Sequence, residues 1–237
     1  MISLEQLKRQ AVHWQTSVLN VAREYVQHVF LSSLYGFPES DHLAFKGGTA
    51  LRILYGSPRF SEDIDFTGHL KPFHLAQLLT HTVDRIAEEG LSFKTLEAKA
   101  TSGGYLALYQ CRVHEEMVRL ELNVSLRNKA LAGAILVTSP LIPSYQCLQL
   151  PIKDMAAEKL QALLSRKKPR DFFDLYFLLR QRLGIEAIIP LRKQLLKEIK
   201  GLDARTIQRE LKLFLPVSHH KIIAQLPKAL TEELNRL

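Results

Sequence analysis

The stretch that most constrains this chain lies at residues 42–66. An apolar run ending in Phe45-Lys46 meets Gly47-Gly48-Thr49-Ala50-Leu51-Arg52. After a helix-like stretch the chain continues into Arg59-Phe60-Ser61-Glu62-Asp63-Ile64-Asp65-Phe66. This order predicts a strand, a tight glycine turn, a helix and a second strand that carries two carboxylates. Side chains alternate along a strand, so Asp63 and Asp65 share one face while Ile64 and Phe66 turn to the other. Two neighbouring carboxylates repel unless a cation joins them, and paired oxygens suit Mg²⁺, which takes one or two carboxylates together with substrate phosphates and water. Gly47 and Gly48, lacking a Cβ, let backbone N–H groups approach phosphate oxygens at the positive end of the following helix.

Taken singly, each piece has an ordinary structural explanation. Gly-Gly-Thr is often a plain turn, and Asp-x-Asp is often a solvated strand edge. Here thirteen residues separate Thr49 from Asp63, and the two pieces come in strand, turn, helix, strand order. That arrangement resembles the signature of polymerase-β-type nucleotidyltransferases. The flanking residues, Lys46-Gly47-Gly48-Thr49-Ala50-Leu51 with Arg59-x-Ser61-x-Asp63-x-Asp65-Phe66, resemble the AbiEii/AbiGii toxin family of toxin–antitoxin and abortive-infection systems. The resemblance implies an α+β fold: a nucleotidyltransferase core with a mixed sheet flanked by helices, then a C-terminal helical domain.

With 237 residues, 46% hydrophobic and 24% charged, the chain is long enough for one large or two modest domains and has globular composition. No apolar run reaches membrane-spanning length, and Met1-Ile2-Ser3-Leu4-Glu5 lacks a basic region before an apolar one, so a cytoplasmic location is expected and no membrane partner. Cys111 and Cys147 are far apart without metal-ligand spacing, which predicts buried free thiols. The net charge of +8 suits a polyanionic partner.

Apolar positions from Leu4 to Phe30 repeat with helical period, with Trp14 as a core anchor, and predict one or two helices. Pro72 to Glu89 predicts a helix closed by Gly90. Leu91–Ala100, Tyr105–His114 and Met117–Leu126 predict three strands of an antiparallel extension. In the third, Arg119, Glu121 and Asn123 alternate with apolar residues, so Glu121 lies on a polar face. Nucleotidyltransferases carry a third carboxylate on a neighbouring strand, usually Asp, and Glu121 is the best-placed candidate; a solvated strand face is the alternative.

Pro140, Pro143 and Pro151 bracket a change to helical composition, predicting domains at 1–145 and 146–237, the second completing the active-site cleft. In the helix from Ile152 to Ser165, Lys159 flanks the apolar side, where its stem can cover apolar surface or its ammonium can meet phosphates. Asp171 suits a first helical turn. Ala157-Glu158-Lys159 followed by Arg170-Asp171-x-x-Asp174-Leu175 resembles the second block of the same family. The resemblance makes Lys159 a nucleotide-phosphate contact and Asp174 an active-site acid that orients Lys159 or holds the incoming hydroxyl. His219-His220 are expected at the surface. The series Lys193, Lys197, Lys200, Arg205, Arg209 and Lys212 is a solvated helix face or an RNA-facing one.

The implied chemistry moves a nucleoside monophosphate from an NTP to an acceptor hydroxyl, with RNA, at a tRNA 3′ end, as the expected acceptor. Two Mg²⁺ ions would sit on Asp63, Asp65 and Glu121. Gly47, Gly48, Thr49 and Ser61 would line the nucleotide. Other readings are transfer to a protein or small molecule, or a silent nucleic-acid or antitoxin-binding module. The resemblance also implies a cognate antitoxin, in some systems a kinase acting at the position of Ser61. The alternative for Ser61 is a hydrogen bond to nearby backbone.

Overall fold

The N-terminal periodicity divides into two helices because a serine caps each one. In the computed structural model, which describes residues 1–126 and 132–237, α1 (Leu4–His13) begins at Ser3, whose hydroxyl accepts from the Gln6 N–H while the Gln6 side chain accepts from the Ser3 N–H. Ser17 caps α2 (Val18–Leu34), its hydroxyl accepting from the Asn20 N–H. A 3₁₀ turn at Pro38–His42 leads to β1 (Leu43–Lys46), α3 (Gly47–Tyr55) and β2 (Ile64–Gly68). Next comes α4 (Pro72–Glu88), opened by Pro72 and followed by Gly90 at φ +92°. The strands β3 (Phe93–Thr101), β4 (Gly104–Val113), β5 (Glu116–Ser125), β6 (Gly133–Val137) and β7 (Tyr145–Gln149) complete the sheet.

Among the described residues the sheet has seven strands in the order β3-β4-β5-β2-β1-β7-β6. It is mixed: β2 runs parallel to β5 and β1 parallel to β7, while the other neighbours are antiparallel. The fold is therefore α+β, with the expected antiparallel β3–β4–β5 extension. Tyr109 and Cys111 of β4 and Leu120 and Leu122 of β5 are buried on one face. There α2 packs on β5, α4 packs on α2 and β3, and Phe30 meets Phe93 and Tyr109 at ring distances of 6.3 and 6.1 Å. On the other face Leu106, Leu108, Glu121 and Asn123 stay partly open. Burial holds the Cys111 and Cys147 thiols up at about 12, so both are inert free thiols.

Two expectations need correction. The acidic strand begins at Ile64, so Asp63 and Ser61 precede it rather than lie within it, and strand alternation cannot place Ser61. Two strands, β6 and β7, lie in a stretch that carries no strand expectation; β7 exists through pairing with β1 and β6, which prolines nearby obscure.

The chain forms two compact units, Met1–Tyr55 with Phe60–Leu150, and Gly56–Arg59 with Pro151–Leu237. The strand β7 spans the expected division at 145/146 and stays with the sheet it pairs to. In the second unit α5 (Ile152–Arg166), α6 (Pro169–Arg180), α7 (Ile185–Ile188), α8 (Arg192–Ile199), α9 (Ala204–Leu211) and α10 (His220–Asn235) follow one another. The central helix is α6, packed by α5, α9 and α10, and it buries Phe172, Phe173, Leu175, Leu178 and Leu179. Each such side chain contributes about 1.5–3 kcal/mol on leaving water. Among the described residues no helix is long and apolar enough to cross a membrane.

Candidate active site

The site in the sheet unit is built on the junction between β1 and α3. Gly47 turns the chain there with φ +88°, a conformation that glycine adopts without a Cβ penalty. A Cβ at this position would fall on the Oδ2 of Asp65 and within 2.9 Å of its Cβ and Cγ. Glycine is thus needed twice, for its backbone angle and for the Asp65 carboxylate that lies against it. Gly48 continues the first turn of α3 and is buried.

The irregular run from Phe60 to Asp63 is held residue by residue. The Arg52 guanidinium of α3 lies 3.9 Å from the Phe60 ring centroid and 5.1 Å from that of Trp14, the expected core anchor. Arg52 in turn pairs with Glu24 of α2 at 2.8 Å. Gln27, also on α2 and only 2% exposed, donates to the carbonyls of Ser61 and Glu62 at 2.9 and 3.1 Å. Arg23 reaches the Glu62 carboxylate at 3.1 Å. The fully buried Thr49 donates its hydroxyl to the Asp63 carbonyl. Thr49 therefore holds the acid's backbone, and the hydrogen expected to serve a phosphate is committed there.

Neighbouring ionisable groups respond to this burial. Desolvation raises the Glu24 carboxyl against the opposing pull of Arg52. His28, hydrogen-bonded to the Tyr145 hydroxyl at 2.9 Å, is lowered to about 4, mainly by burial and further by the charge of Arg52.

Across the sheet, Lys46 pairs with Asp65, and Asp65 with Asn123 of β5, so these side chains form one lateral row on the partly open face. One step along β5 on the same face, Glu121 accepts from the Asn123 amide at 3.1 Å. Among the described residues no three His, Cys, Asp or Glu side chains come together as a metal-binding group. Glu121 is hydrogen-bonded to Asn123, the residue of β5 that pairs with Asp65. The donors present, carboxylates and an amide, are hard oxygen ligands of the kind Mg²⁺ takes in small number.

In the helical unit, Asp174 is 1% exposed and accepts two parallel bonds from Arg59, at 2.8 Å from Nε and 2.9 Å from Nη2. Lys159 Nζ lies 2.8 Å from its Oδ2. Burial would raise the Asp174 carboxyl, but Arg59 and Lys159 outweigh it and hold it down at about 2. Both oxygens of Asp174 are engaged, and Oδ2 holds the Lys159 ammonium. Lys159 is ion-paired at 13% side-chain exposure rather than extended into water. Asp171 is structural, paired with Arg166 through two bonds of 2.9 and 2.7 Å across the α5–α6 turn. His219 and His220 are half-exposed, His220 bonding to the Leu215 carbonyl.

Gln27, Arg52, Glu24 and Asn123 escaped the sequence reading. The pattern Arg59-x-Ser61-x-Asp63 contained the signal for Arg59, but its partner Asp174 lies 115 residues away.

A family model described as "Nucleotidyl transferase AbiEii toxin, Type IV TA system" matches residues 29–235. No curated protein matches the chain. Among solved structures, MenT4, a nucleotidyltransferase toxin from Mycobacterium tuberculosis H37Rv, superposes with a TM-score of 0.72 at 16% identity, covering 100% of this chain and 91% of that one. A putative nucleotidyltransferase from H. pylori gives 0.59 at 21% identity, covering 93% of this chain and 98% of that one. JHP933 from Helicobacter pylori gives 0.57 at 21% identity, with 93% and 95% covered.

Proposed function

This chain belongs to the AbiEii nucleotidyltransferase toxin family of type IV toxin–antitoxin systems, and from that membership we propose that it transfers a nucleoside monophosphate from an NTP to a hydroxyl of RNA. The family implies an antitoxin partner. The observation that carries the reading is the Asp65 carboxylate laid against Gly47, at the turn where β1 enters α3. An acid and a phosphate-binding turn are there brought to one point.

The reaction is in-line attack of the acceptor oxygen on the α-phosphorus, with the bond to the bridging oxygen breaking and pyrophosphate leaving. Its demands are mainly positional and electrostatic. Asp63 and Asp65 would hold Mg²⁺, with Glu121 or Asn123 beside them; Mg²⁺ when bound would lower the pKa of the acceptor hydroxyl and offset charge on the phosphates. Gly47 and Gly48 give N–H groups close access to phosphate oxygens. Thr49 holds the Asp63 carbonyl and Gln27 the carbonyls of Ser61 and Glu62 before it. Lys159 carries the phosphate role that the family resemblance assigns, and Asp174 keeps its ammonium in place. The net charge of +8 favours RNA over a small cationic acceptor.

Purified protein given labelled nucleotides with total RNA, and separately with protein extract, tests this reading. Label should enter RNA, and Asp63→Ala or Asp65→Ala should lower transfer at least about a hundredfold with the melting temperature retained. Undiminished transfer by either variant, or label only in protein, would refute it.

A further inference from the structure

The helical unit carries a basic cavity apart from the Arg59, Asp174 and Lys159 contacts described above. Lys168 and Arg170 at the start of α6 and Arg209 in α9 line a space of about 350 Å³, walled also by Glu210, Leu213 and Phe214. That volume is at the small end of ligand sites, enough for a phosphate with part of its sugar or base. The Arg170 Nε is buried and has no hydrogen-bond partner. A buried donor left unmatched costs about 1–3 kcal/mol, and a guanidinium cannot shed its proton to escape that cost. An anionic acceptor in the cavity that Arg170 lines would meet its guanidinium, which keeps its charge there.

Three cations face one carboxylate in this lining, beside the Phe214 ring and Leu213, which is 71% exposed. Charge selects an oxyanion, and the apolar wall selects one with a flat apolar neighbour. Lys193, Lys197, Lys200, Arg205 and Lys212 are exposed on the same unit, so positive charge extends beyond what a single phosphate needs.

We infer that this cavity binds a phosphodiester link of single-stranded RNA, with Arg170 donating to a phosphate oxygen and Phe214 and Leu213 meeting the adjoining base. The inference rests on the reading of RNA as acceptor and gives that acceptor a binding site in the helical unit. Base contact with an aromatic ring is tolerant of sequence, so the cavity would grip RNA without choosing it.

The test is fluorescence anisotropy of a 5′-labelled single-stranded RNA with the full chain, without NTP, at several salt concentrations. Arg170→Gln and Arg209→Gln should each weaken Kd about tenfold and reduce the salt slope by about one. Glu210→Gln should tighten binding, and Lys221→Gln, an exposed charge-matched change on α10, should leave it unaltered. Wild-type affinity and slope in both arginine variants, or an equal loss in Lys221→Gln, would overturn the site. A parallel titration with AMP separates the sources: loss of AMP binding with RNA affinity intact would give the cavity to a free nucleotide and overturn the RNA assignment. If the wild type grips RNA through this cavity yet transfers no nucleotide to it, the proposed function fails and the site stands.

Discussion

At the scale of single residues, Gly47 and Asp65 depend on each other. An alanine at 47 would pay the backbone strain of φ +88° and would also displace the Asp65 carboxylate. Gly90 offers a control, since it has φ +92° with nothing within 4 Å of an added Cβ. Gly47→Ala and Gly90→Ala should each lose about 1–2 kcal/mol from the backbone, Gly47→Ala more because of the overlap with Asp65, while only Gly47→Ala should lower transfer, by tenfold or more on the order of a misplaced catalytic group. Kinetics and urea unfolding on both variants check this, and equal activity in the two would show that the carboxylate needs no such cradle. The arrangement of Arg59, Asp174 and Lys159 is a second lesson at this scale. Two cations on one carboxylate leave a net positive charge with little exposure to water, a costly grouping unless its position matters.

Among the elements, the informative one is the irregular segment ahead of β2. A strand would have its carbonyls satisfied by its neighbours, whereas Ser61, Glu62 and Asp63 have theirs met by Gln27 and Thr49. These bonds come from α2 and α3, so helix positions set where the acids sit. Thr49→Val keeps the shape but removes the bond to the Asp63 carbonyl, at about 1–3 kcal/mol. The expected result is a kcat lower by about tenfold with KM for NTP little changed, and recovery in Thr49→Ser, which retains the hydroxyl. A drop in stability alone, with kcat intact, would reduce Thr49 to packing. Ser61 lies in this same segment, with its carbonyl bound by Gln27 and its side chain half-exposed. A phosphate there would add about two negative charges ahead of Asp63.

For the molecule as a whole, acid stability should fall in two steps. His28 binds its proton at about 4 when folded against 6.5 when unfolded, so its contribution is complete above 6.5 and is lost as the pH falls toward 4, amounting to roughly 3 kcal/mol. Asp174, at about 2 against 3.8, contributes fully above 3.8 and loses roughly 2 kcal/mol as the pH falls toward 2. Glu24, raised by burial, acts in the opposite sense above its ordinary value and partly offsets His28. Urea midpoints between pH 7 and 4 should therefore decline in the wild type and decline less in His28→Gln; parallel profiles would remove His28 from the account. The strand, turn, helix and acid order, the amphipathic helices and the β5 alternation were determined by sequence alone, because each depends on neighbours within a few positions and on a fixed period. The same holds for Asp63, Asp65 and Lys159 as candidates, through local motifs. What only the tertiary structure decided is which groups meet: Gln27 with the Ser61 carbonyl, Arg59 with Asp174, Asn123 with Glu121 beside Asp65, and β7 with β1. Apart from Asn123 and Glu121, whose placing beside Asp65 needs β2 to pair with β5, these partners are separated by long stretches of chain. Their chemistry permits many other partners, and packing alone selects among them.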